Sequence, residues 1–282
     1  MAHRPFLTRV TPQRNAEGQI VQWFGTNTDV YDLKRSEEEL REAKKSAEEA
    51  NLSKDQFLAL LSHELRTPLT PVLLTADALL EEEDLPLETR ETMEMVSRNI
   101  RLEVKLIDDL LDVSRITSGK MELALEPVDL NEAVNQGAAI CQVRVEEKGL
   151  RLETSLDPEM GFLQADPLRL QQVIWNLLNN AIKFTPAQGT IHISTRRLGA
   201  DRCELRVQDS GIGIESEALS RIFQAFERSH RDITRQFGGL GLGLAITRSV
   251  VEHHGGTIRA ESAGPGEGAI FIIELPKQMT KF

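Results

Sequence analysis

The stretch FLALLSHELRTPLT, residues 57–70, places a polar His-Glu pair inside a run with helical apolar spacing. Leu58, Leu61 and Leu65 fall on one face of such a helix. His63 lies about 200° around the helix from Leu61 and from Leu65. We therefore predict an amphipathic helix whose histidine faces solvent or a partner and not the core.

A proline follows within this helix, and a second helix follows after a turn. Pro68 has no N–H to donate to the carbonyl of Glu64, so we expect a weak point at which the helix could bend. The helix continues to about Glu82, EEEDLPLE supplies a turn, and a second amphipathic helix spans about 88–117. A two-helix hairpin has too narrow an interior to be stable alone, whereas two hairpins paired as a four-helix bundle bury both apolar stripes. The pattern predicts a homodimer.

The residues before this hairpin form two further segments. Residues 5–32 are typical of two short strands about an AEGQ turn, and two strands alone are marginally stable, so we expect this piece to end a larger unit. Residues 34–57 are rich in Glu, Lys and Ala and carry an imperfect heptad seam of small residues. A parallel coiled coil and a solvated single helix both fit that seam, although so long a polar helix is hard to stabilise alone.

After about residue 120 the pattern changes to alternating strands and helices. Asp129 and Asp166 are predicted helix N-caps, and proline follows Asp166 at the first helical position. Segments 190–198 and 203–209 alternate like neighbouring strands, and two further apolar segments near the end are typical of a hairpin. We predict an α/β domain that has a mixed sheet with helices packed on one side.

Composition narrows the classes of partner and compartment. The 282-residue chain has a formal net charge of -11 and a pI of about 5.2, which disfavours nucleic acid and anionic membrane surfaces as partners. Cys141 and Cys203 lie far apart without a zinc-like spacing, and we interpret them as reduced thiols of a cytosolic protein. No apolar run approaches the ~20 residues that a membrane span needs, so we expect no membrane segment in this chain, although a membrane-bound parent could have been cut away.

A polar stripe marks the predicted helix LQQVIWNLLNNAIKFT. Asn176, Asn180 and Lys183 lie at i, i+4 and i+7 and therefore on one face. An amide oxygen suits a hard cation such as Mg²⁺, and a lysine suits phosphate. The stripe predicts a site for a polyphosphate and Mg²⁺, with an ordinary polar surface as the alternative.

Two glycine-containing segments add candidate binding groups. Asp209-Ser-Gly-Ile-Gly213 follows a strand, and a carboxylate beside glycines that let the backbone approach suits the exocyclic amine of adenine. A simple β-turn is the alternative there. In FGGLGLGLAI, Gly239, Gly241 and Gly243 open a helix whose N–H groups and dipole favour an anion. This second segment is neither a P-loop nor preceded by a Rossmann strand.

The segment between them, residues 221–237, is typical of a lid. Phe223 and Phe226 are apolar anchors, and the arginines would bring positive charge to a triphosphate. The lid arginines are Arg228, Arg231 and Arg235.

Elsewhere, His253 and His254 end a predicted helix, where the dipole favours a cation, and we interpret both as structural.

Taken in order, these segments resemble the sensor histidine kinases of two-component signalling. SHELRTPL is similar to the phosphoacceptor box of that family, and NLLNNAIKFT, DSGIGI, IFQAFER and GGLGLGLAI are similar to its nucleotide-binding boxes. The resemblance covers about residues 34–277, and five boxes in the family's order make it specific. Residues 5–32, which lead into GTNTDVYDLKR, resemble the tail of a PAS sensor domain.

The resemblance implies roles for the phosphoacceptor box. His63 would attack the γ-phosphate of ATP and become a phosphohistidine, while Glu64 would accept the imidazole proton or orient the ring. Arg66 and Thr67 would help to hold the phosphoryl group. Thr67 would also position a water molecule for dephosphorylation of a partner.

The resemblance also implies a nucleotide-binding set in the α/β domain. Asn180 would be the Mg²⁺ ligand, Asp209 would take the adenine amine, and Arg228 would contact the γ-phosphate. Leu240 stands where the family often has Thr, which removes one hydroxyl and leaves the backbone site intact, and Phe184 fills a position that is often Tyr. The implied cofactor-binding residues are Asn176, Asn180, Lys183, Phe184, Asp209, Gly211, Gly213, Arg228, Gly239, Leu240, Gly241, Leu242 and Gly243.

The sequence thus predicts an α+β protein of two domains, in which a coiled coil and a dimeric helical hairpin precede an α/β sandwich. The predicted bounds are 1–33 for a PAS-like remnant, 34–55 for a coiled-coil linker, 56–119 for dimerisation and phosphotransfer, and 120–282 for ATP binding. The expected activity is ATP-dependent phosphorylation of His63 and transfer to the receiver domain of a response regulator in the cytoplasm. The alternatives are a related ATPase of the gyrase and chaperone superfamily and a non-catalytic dimeric scaffold that binds ATP.

Overall fold

The structure is a computed structural model that describes residues 4–82, 84–117, 121–227 and 241–278. It divides into two compact units, Met1–Phe57 and Leu58–Phe282.

The first unit contains a β-hairpin and the beginning of a long helix. Strands β1 (Phe6–Arg14) and β2 (Ile20–Asp29) pair antiparallel, with a register shift at the turn-proximal end. The side chain of Asn15 accepts from the backbone N–H groups of Glu17 and Gln19 and so holds the turn. The two predicted strands are confirmed. Their apolar side chains are exposed: Phe6, Leu7, Val10, Ile20, Val21, Trp23 and Phe24.

Helix α1 (Tyr31–Leu80) remains helical through both of its prolines, Pro68 and Pro71. Near these missing donors, threonine hydroxyls donate to carbonyls four residues back, from Thr67 to His63 at 2.8 Å and from Thr70 to Arg66 at 3.0 Å. The prolines therefore do not end the helix. Bending at Pro68 stays a prediction.

Helix α2 (Leu87–Thr117) runs antiparallel to α1 and completes a helical hairpin. Polar contacts fix the pairing, since Asp77 accepts from Ser97 at 2.8 Å and from Arg101 at 2.7 Å. Ala76 and Ile100 are buried between the helices. Many other apolar side chains of the hairpin are exposed in the single chain: Leu61, Leu65, Val72, Leu74, Met95, Leu102 and Leu110.

The rest of the second unit is an α/β domain built on a five-stranded mixed sheet. The strand order is β4-β6-β7-β9-β8, in which β4 and β6 are parallel and the other neighbours are antiparallel. A separate antiparallel pair, β3 with β5, lies beside it. The mixed sheet and the closing hairpin are confirmed. The strands are β3 (Glu126–Asp129), β4 (Arg151–Ser155), β5 (Phe162–Ala165), β6 (Thr190–Leu198), β7 (Arg202–Asp209), β8 (Thr257–Glu261) and β9 (Ala269–Pro276).

Three long helices cover the sheet, and α4 lies at their centre. It contacts α3, α6 and β7, and its apolar face is buried in the main core. Gly137 of α3 allows close approach, because a Cβ at that position would lie 2.6 Å from a methyl group of Ile174. The helices of this domain are α3 (Leu130–Glu147), α4 (Pro167–Phe184), the short α5 (Ser216–Leu219) and α6 (Gly243–His253).

The two predicted N-caps are confirmed. The carboxylate of Asp129 accepts from the amides of Asn131 and Glu132 at the start of α3. The carboxylate of Asp166 accepts from the amide of Arg169, and Pro167 opens α4. These caps satisfy N–H groups that would otherwise lack partners at each helix start.

His254, which follows α6, is buried and does not behave as a cation at a helix end. Its Nε2 accepts from the backbone N–H of Asp166 at 3.0 Å, so Nδ1 carries the proton and donates to the carbonyl of Val250 at 2.7 Å. Burial lowers the pKa of His254 below its ordinary value of 6.5. The dipole-based expectation of a cation is wrong here because the neutral ring joins the end of α6 to the start of α4.

This contact predicts a loss of stability in acid. The unfolded chain binds the His254 proton at a higher pH than the folded chain does, so the free energy of unfolding should fall as the pH drops below 6.5 until the lower native pKa is passed. For one proton the slope cannot exceed about 1.4 kcal/mol per pH unit. Urea unfolding between pH 5 and 8 should show a shallower slope for His254→Gln than for the wild type. Parallel profiles for the two proteins would contradict the prediction.

Candidate active site

The α/β domain has an open pocket of about 480 Å³, counting the solvent at its mouth. The end of α4, the end of β7 and the segment after β7 supply four of the predicted residues together: Asn180, Phe184, Asp209 and Gly213. The other lining residues are apolar: Ile214, Ile222, Leu244, Ala269 and Phe271. The pocket therefore offers apolar walls with a few polar groups, which is the usual chemistry of a small-molecule site.

Asp209 is the buried acidic group of this pocket, with 7% of its surface exposed. It ends β7 between β6 and β9, and its Oδ1 accepts from the N–H of Gly211 at 2.8 Å. Burial raises the pKa of Asp209, while the backbone N–H groups of Gly211 and Ala269 act in the opposite direction. A hydrogen-bond acceptor held among apolar walls suits a planar ligand that carries an amine.

The loop after Asp209 is held from two sides. The N–H of Ile212 donates to the carbonyl of Phe184 at 3.2 Å, and the carbonyl of Ile212 accepts from Gly266 at 2.7 Å. Gly213 has a φ of 72°, and a Cβ there would lie 2.0 Å from the carbonyl oxygen of Gly264. Only glycine fits this crossing of two backbones, which gives the predicted glycine a structural reason.

The polar stripe on α4 is divided between two environments. Asn180 lines the pocket, and Lys183 places its Nζ 4.9 Å from the ring centre of Phe184. Asn176 is only 4% exposed, and its Nδ2 donates to the carbonyl of Gly243 at 3.3 Å and to Thr247 at 3.4 Å. The surface-stripe alternative therefore fails for Asn176, and its predicted contact with phosphate stays a prediction.

The start of α6 lies beside this stripe. Leu242 caps the helix without a side-chain hydrogen bond, and the carbonyl of Gly241 accepts from the N–H of Phe226 at 3.2 Å. Three predicted ligands, Arg228, Gly239 and Leu240, lie outside the described residues, as do the lid positions Arg231 and Arg235.

The hairpin presents the predicted acceptor histidine to solvent. The side chain of His63 is 76% exposed, which confirms the prediction from helical spacing, and its Nδ1 lies 3.5 Å from Oε1 of Glu64. Arg66 forms an ion pair with Asp108 of α2, a partner that the sequence pattern did not reveal. Thr67 donates to the carbonyl of His63, so its hydroxyl lies in the same helical turn.

A second group of polar residues was missed in the sequence. Lys105, Asp109 and Asp112 of α2 lie against α4, where their partners include Arg169 and Asn176. Their spacing of i, i+4 and i+7 inside an apolar stripe was visible in the sequence. The pattern alone did not show which helix they would meet.

Two family models match the chain. Residues 53–119 match the His Kinase A (phospho-acceptor) domain, and residues 165–279 match the Histidine kinase-, DNA gyrase B-, and HSP90-like ATPase. The chain belongs to the sensor histidine kinases. The match over 53–119 decides against a related ATPase that lacks the phosphoacceptor helix. Because neither match reaches residues 5–32, the PAS interpretation stays a prediction.

Relatives and solved structures agree with this assignment. The circadian input-output histidine kinase CikA of Synechococcus elongatus is 40% identical over 245 residues, which cover 86% of this chain and 32% of that protein. Full-length ShkA in complex with AMPPNP is 32% identical, with a TM-score of 0.65 over 80% of this chain and 47% of that one. Histidine kinase ThkA in complex with response regulator protein TrrA is 26% identical, with a TM-score of 0.52 over 98% of this chain and 76% of that one. The kinase chain thus spans about a third of the length of CikA and about half of ShkA.

Within the described ranges, no helix combines the length and the apolar character that a membrane-spanning helix needs.

Replacing Asp209 tests the adenine assignment. Asp209→Asn should weaken ATP binding by roughly 1–3 kcal/mol, because an amide NH₂ facing the adenine amine leaves donors unsatisfied. The fold should be as stable as wild type or more so near neutral pH, since the raised pKa means that the ionised carboxylate is unfavourable in the folded chain. Calorimetry with an ATP analogue and thermal unfolding measure the two effects. The exposed Asp201→Asn is the matched control, and equal affinity in wild type and Asp209→Asn would refute the assignment.

Proposed function

We propose that this chain is an ATP-dependent protein-histidine kinase that phosphorylates its own His63 and passes the phosphoryl group to an aspartate of a response regulator. One observation carries the proposal. A single compact unit contains both an exposed histidine on a phosphoacceptor helix and a pocket in which Asp209 and Asn180 meet apolar walls.

The pocket supplies the groups that ATP binding requires. Asp209 accepts from the adenine amine, and the surrounding apolar side chains cover the ring. The N-terminus of α6 lies beside Asn176 and offers backbone N–H groups to phosphate. The ShkA structure, with its AMPPNP, supports an adenine nucleotide as the ligand.

Asn180 is the protein group best suited to Mg²⁺. Asn180 lines the pocket, and an amide oxygen suits a hard cation. Mg²⁺ usually keeps several waters and binds through substrate phosphates plus one or two protein groups. Within the described ranges no cluster of three or more His, Cys, Asp or Glu forms a cage, which fits such a sparsely ligated ion. When bound, Mg²⁺ neutralises charge on the phosphates.

His63 acts as the nucleophile. Nδ1 of His63 lies 3.5 Å from Oε1 of Glu64, and the tautomer that places the proton on this nitrogen leaves the lone pair on Nε2. Nε2 forms the bond to the γ-phosphorus, the bond from that phosphorus to the bridging oxygen breaks, and ADP leaves with the electron pair. Glu64 accepts the Nδ1 proton, which leaves the imidazole ring of the phosphohistidine uncharged. The aspartate of the response regulator then takes the phosphoryl group.

The partners follow from exposed surfaces and from a solved complex. The apolar stripe of the hairpin, including Leu61, Leu65 and Leu110, supports a homodimeric four-helix bundle in which it becomes buried. ThkA in complex with TrrA supports a receiver domain as the acceptor of phosphate. The buried free thiols Cys141 and Cys203 suit a reducing cytoplasm.

The segment before the hairpin is proposed to receive the signal. The exposed apolar side chains of β1 and β2 support their membership of a larger PAS-like sheet, and the polar first part of α1 serves as a coiled-coil linker. A non-catalytic scaffold remains the second candidate. His63, Glu64, Asn180 and Asp209 are all present, and this complete set favours the enzyme.

Replacing the acceptor tests the kinase directly. His63→Gln should abolish incorporation of label from γ-labelled ATP with Mg²⁺ while ATP affinity stays within about twofold, since His63 is not part of the pocket. The wild-type label should be lost in acid and retained in alkali, as expected for a phosphohistidine. Acid-labile label in His63→Gln would identify another acceptor and overturn this one.

Thr67 separates two reactions on one helical turn. Thr67→Ala should keep much of the autophosphorylation and lose most of any dephosphorylation of the regulator, because only the second reaction needs a hydroxyl that positions water. The decay of a purified regulator's acyl phosphate measures the effect, with Thr70→Ala as the matched control. Thr70 also donates to a carbonyl four residues back. If Thr67→Ala accelerates the decay as well as wild type does, Thr67 has only a structural role.

A further inference from the structure

The last turn of α4 cannot satisfy its own carbonyl groups. In a regular helix the N–H of residue 186 would donate to the carbonyl of Ile182, but Pro186 has no N–H. Thr185 closes the turn before it, since its N–H and its hydroxyl both donate to the carbonyl of Ala181, at 3.0 and 2.6 Å. The carbonyls of residues 182–184 therefore need donors from other parts of the chain.

Lys148, at the end of α3, supplies two of these donors. Its Nζ donates to the carbonyl of Ile182 at 2.6 Å and to that of Lys183 at 2.9 Å. The third carbonyl, that of Phe184, accepts from the N–H of Ile212 at 3.2 Å. A cation at this position also offsets the negative end of the helix dipole. The last turn of α4 is thus held by one lysine and by one backbone N–H.

The backbone of Lys148 is fixed by the way in which α3 ends. Gly149 has a φ of 64°, and its N–H donates to the carbonyl of Glu146 at 2.9 Å. The N–H of Leu150 donates to the carbonyl of Val145 at 2.9 Å. This pair of bonds is a Schellman motif, and Leu150 and Val145 are both buried, as the apolar contact of that motif requires. Lys148 therefore projects from a well-ordered helix end.

The ammonium group of Lys148 is partly withdrawn from water. Burial lowers the pKa of Lys148, and the nearby guanidinium of Arg144 acts in the same direction. Arg144 itself donates to the side chain of Asn179 on α4. A lysine without a role in the fold would extend into solvent, where its charge is most stable. Here two carbonyl oxygens replace part of the water that the ammonium loses.

The chain after α4 is also joined to the chain after α3. The N–H of Gln188 donates to the carbonyl of Gly149 at 3.1 Å. Two residues further on, the N–H of Thr190 donates to Oγ of Ser210 at 2.9 Å. Ser210 directly follows the acidic residue of the pocket. The end of α3 is therefore connected through short backbone contacts to the segment that follows β7.

Phe184 connects this end of α4 to the pocket. Phe184 lines the pocket, and a Cβ on Gly211 would lie 2.6 Å from its carbonyl oxygen. The N–H of Gly211 donates to Oδ1 of Asp209 at 2.8 Å, so the orientation of that carboxylate depends on the same loop. In the described part of the chain, Lys148 does not line the pocket. Any effect of Lys148 on a ligand must therefore pass through the end of α4.

We propose that Lys148 is a positioning residue for the adenine of ATP. It holds the last turn of α4, so that the carbonyl of Phe184 fixes the loop that orients Asp209. The inference rests on the kinase function proposed above, and in particular on adenine binding in this pocket. Lys148 accordingly controls how well the pocket recognises the exocyclic amine of the base, in addition to any contribution to the stability of the domain.

Affinities for two nucleotides separate positioning from stability. Lys148→Met should weaken binding of a non-hydrolysable ATP analogue by roughly tenfold, because two carbonyls lose their donor and the loop loosens. The same variant should bind the corresponding purine analogue that lacks the 6-amino group almost as well as wild type does, since that base offers no donor to Asp209. Calorimetry with Mg²⁺ measures both affinities in the full chain. The preference for the amino-bearing base should therefore fall in Lys148→Met.

Two further variants serve as controls. Lys277 also donates from Nζ to a backbone carbonyl of the α/β domain, that of Met160 at 2.7 Å, and it does not line the described pocket. Lys277→Met should therefore leave both affinities unchanged. Lys148→Arg keeps the charge and can donate to two neighbouring carbonyls, so it should recover the wild-type preference.

Hydrogen exchange reports on the loop without a ligand. In Lys148→Met the amides of residues 210–214 should exchange faster than in wild type, while those of β9 should stay equally protected. Lys277→Met should not show this local change. If Lys148→Met does not fold, Lys148→Gln, which keeps a neutral donor, replaces it in both measurements. Faster exchange to the same extent in both segments would indicate general destabilisation and would overturn the positioning role.

The binding measurements also distinguish this inference from the proposed function. An equal loss of affinity for both analogues, or an unchanged affinity for the ATP analogue in Lys148→Met, would overturn the inference and leave Lys148 a structural residue. Failure of the wild type to bind either analogue would instead refute the adenine site and the kinase function. Hydrogen exchange would then still decide whether Lys148 holds the loop.

Discussion

The burial of one face of α4 is the constraint on which the α/β domain depends. Its apolar side chains are almost completely buried against α3, α6 and the sheet, and truncating one such side chain typically costs roughly 2–5 kcal/mol. The same helix carries Asn180 at the pocket and ends at Phe184, whose carbonyl holds the loop after Asp209. On another face, Arg169 and Asn176 meet α2. Core packing thus fixes the position of the pocket relative to the face of α4 that contacts α2.

Local signals in the sequence were sufficient for most of the architecture. An N-cap such as Asp166 acts within one turn, and strand alternation reflects which side faces the core, so both are readable without knowledge of the fold. The exposure of His63 and the placing of Asp209 in a pocket followed from the same kind of local reasoning. Helical spacing gives only an angle around the axis, however. It grouped Asn176 with Asn180, whereas the packing of α6 and α2 buries the first and leaves the second at the pocket.

Two further features depended on partners distant in sequence. His254 stands 88 residues from Asp166, and only the fold shows that a backbone N–H needs its neutral ring. The charged residues Lys105 and Asp112 in the apolar stripe of α2 were visible in the sequence. Their partners were not, because Trp175 and Arg169 lie on α4 and approach α2 only in the folded chain. Buried polar groups therefore serve different purposes in one molecule. Asp209 lies among the apolar walls of the pocket, and its carboxylate accepts hydrogen bonds from the backbone. The carboxylate of Asp112, in contrast, accepts hydrogen bonds from the side chains of Arg169 and Gln172.

Because the hairpin has an exposed apolar stripe, its stability and that of the α/β domain should depend differently on protein concentration. The α/β domain encloses its own core, so its folding equilibrium does not depend on how many chains are present. Under the proposed dimer, the hairpin gains its stability by association and becomes more stable as protein concentration rises. Expression level then sets the fraction of chains that possess a complete bundle. The gene's dosage would act on signalling even when the stimulus is constant.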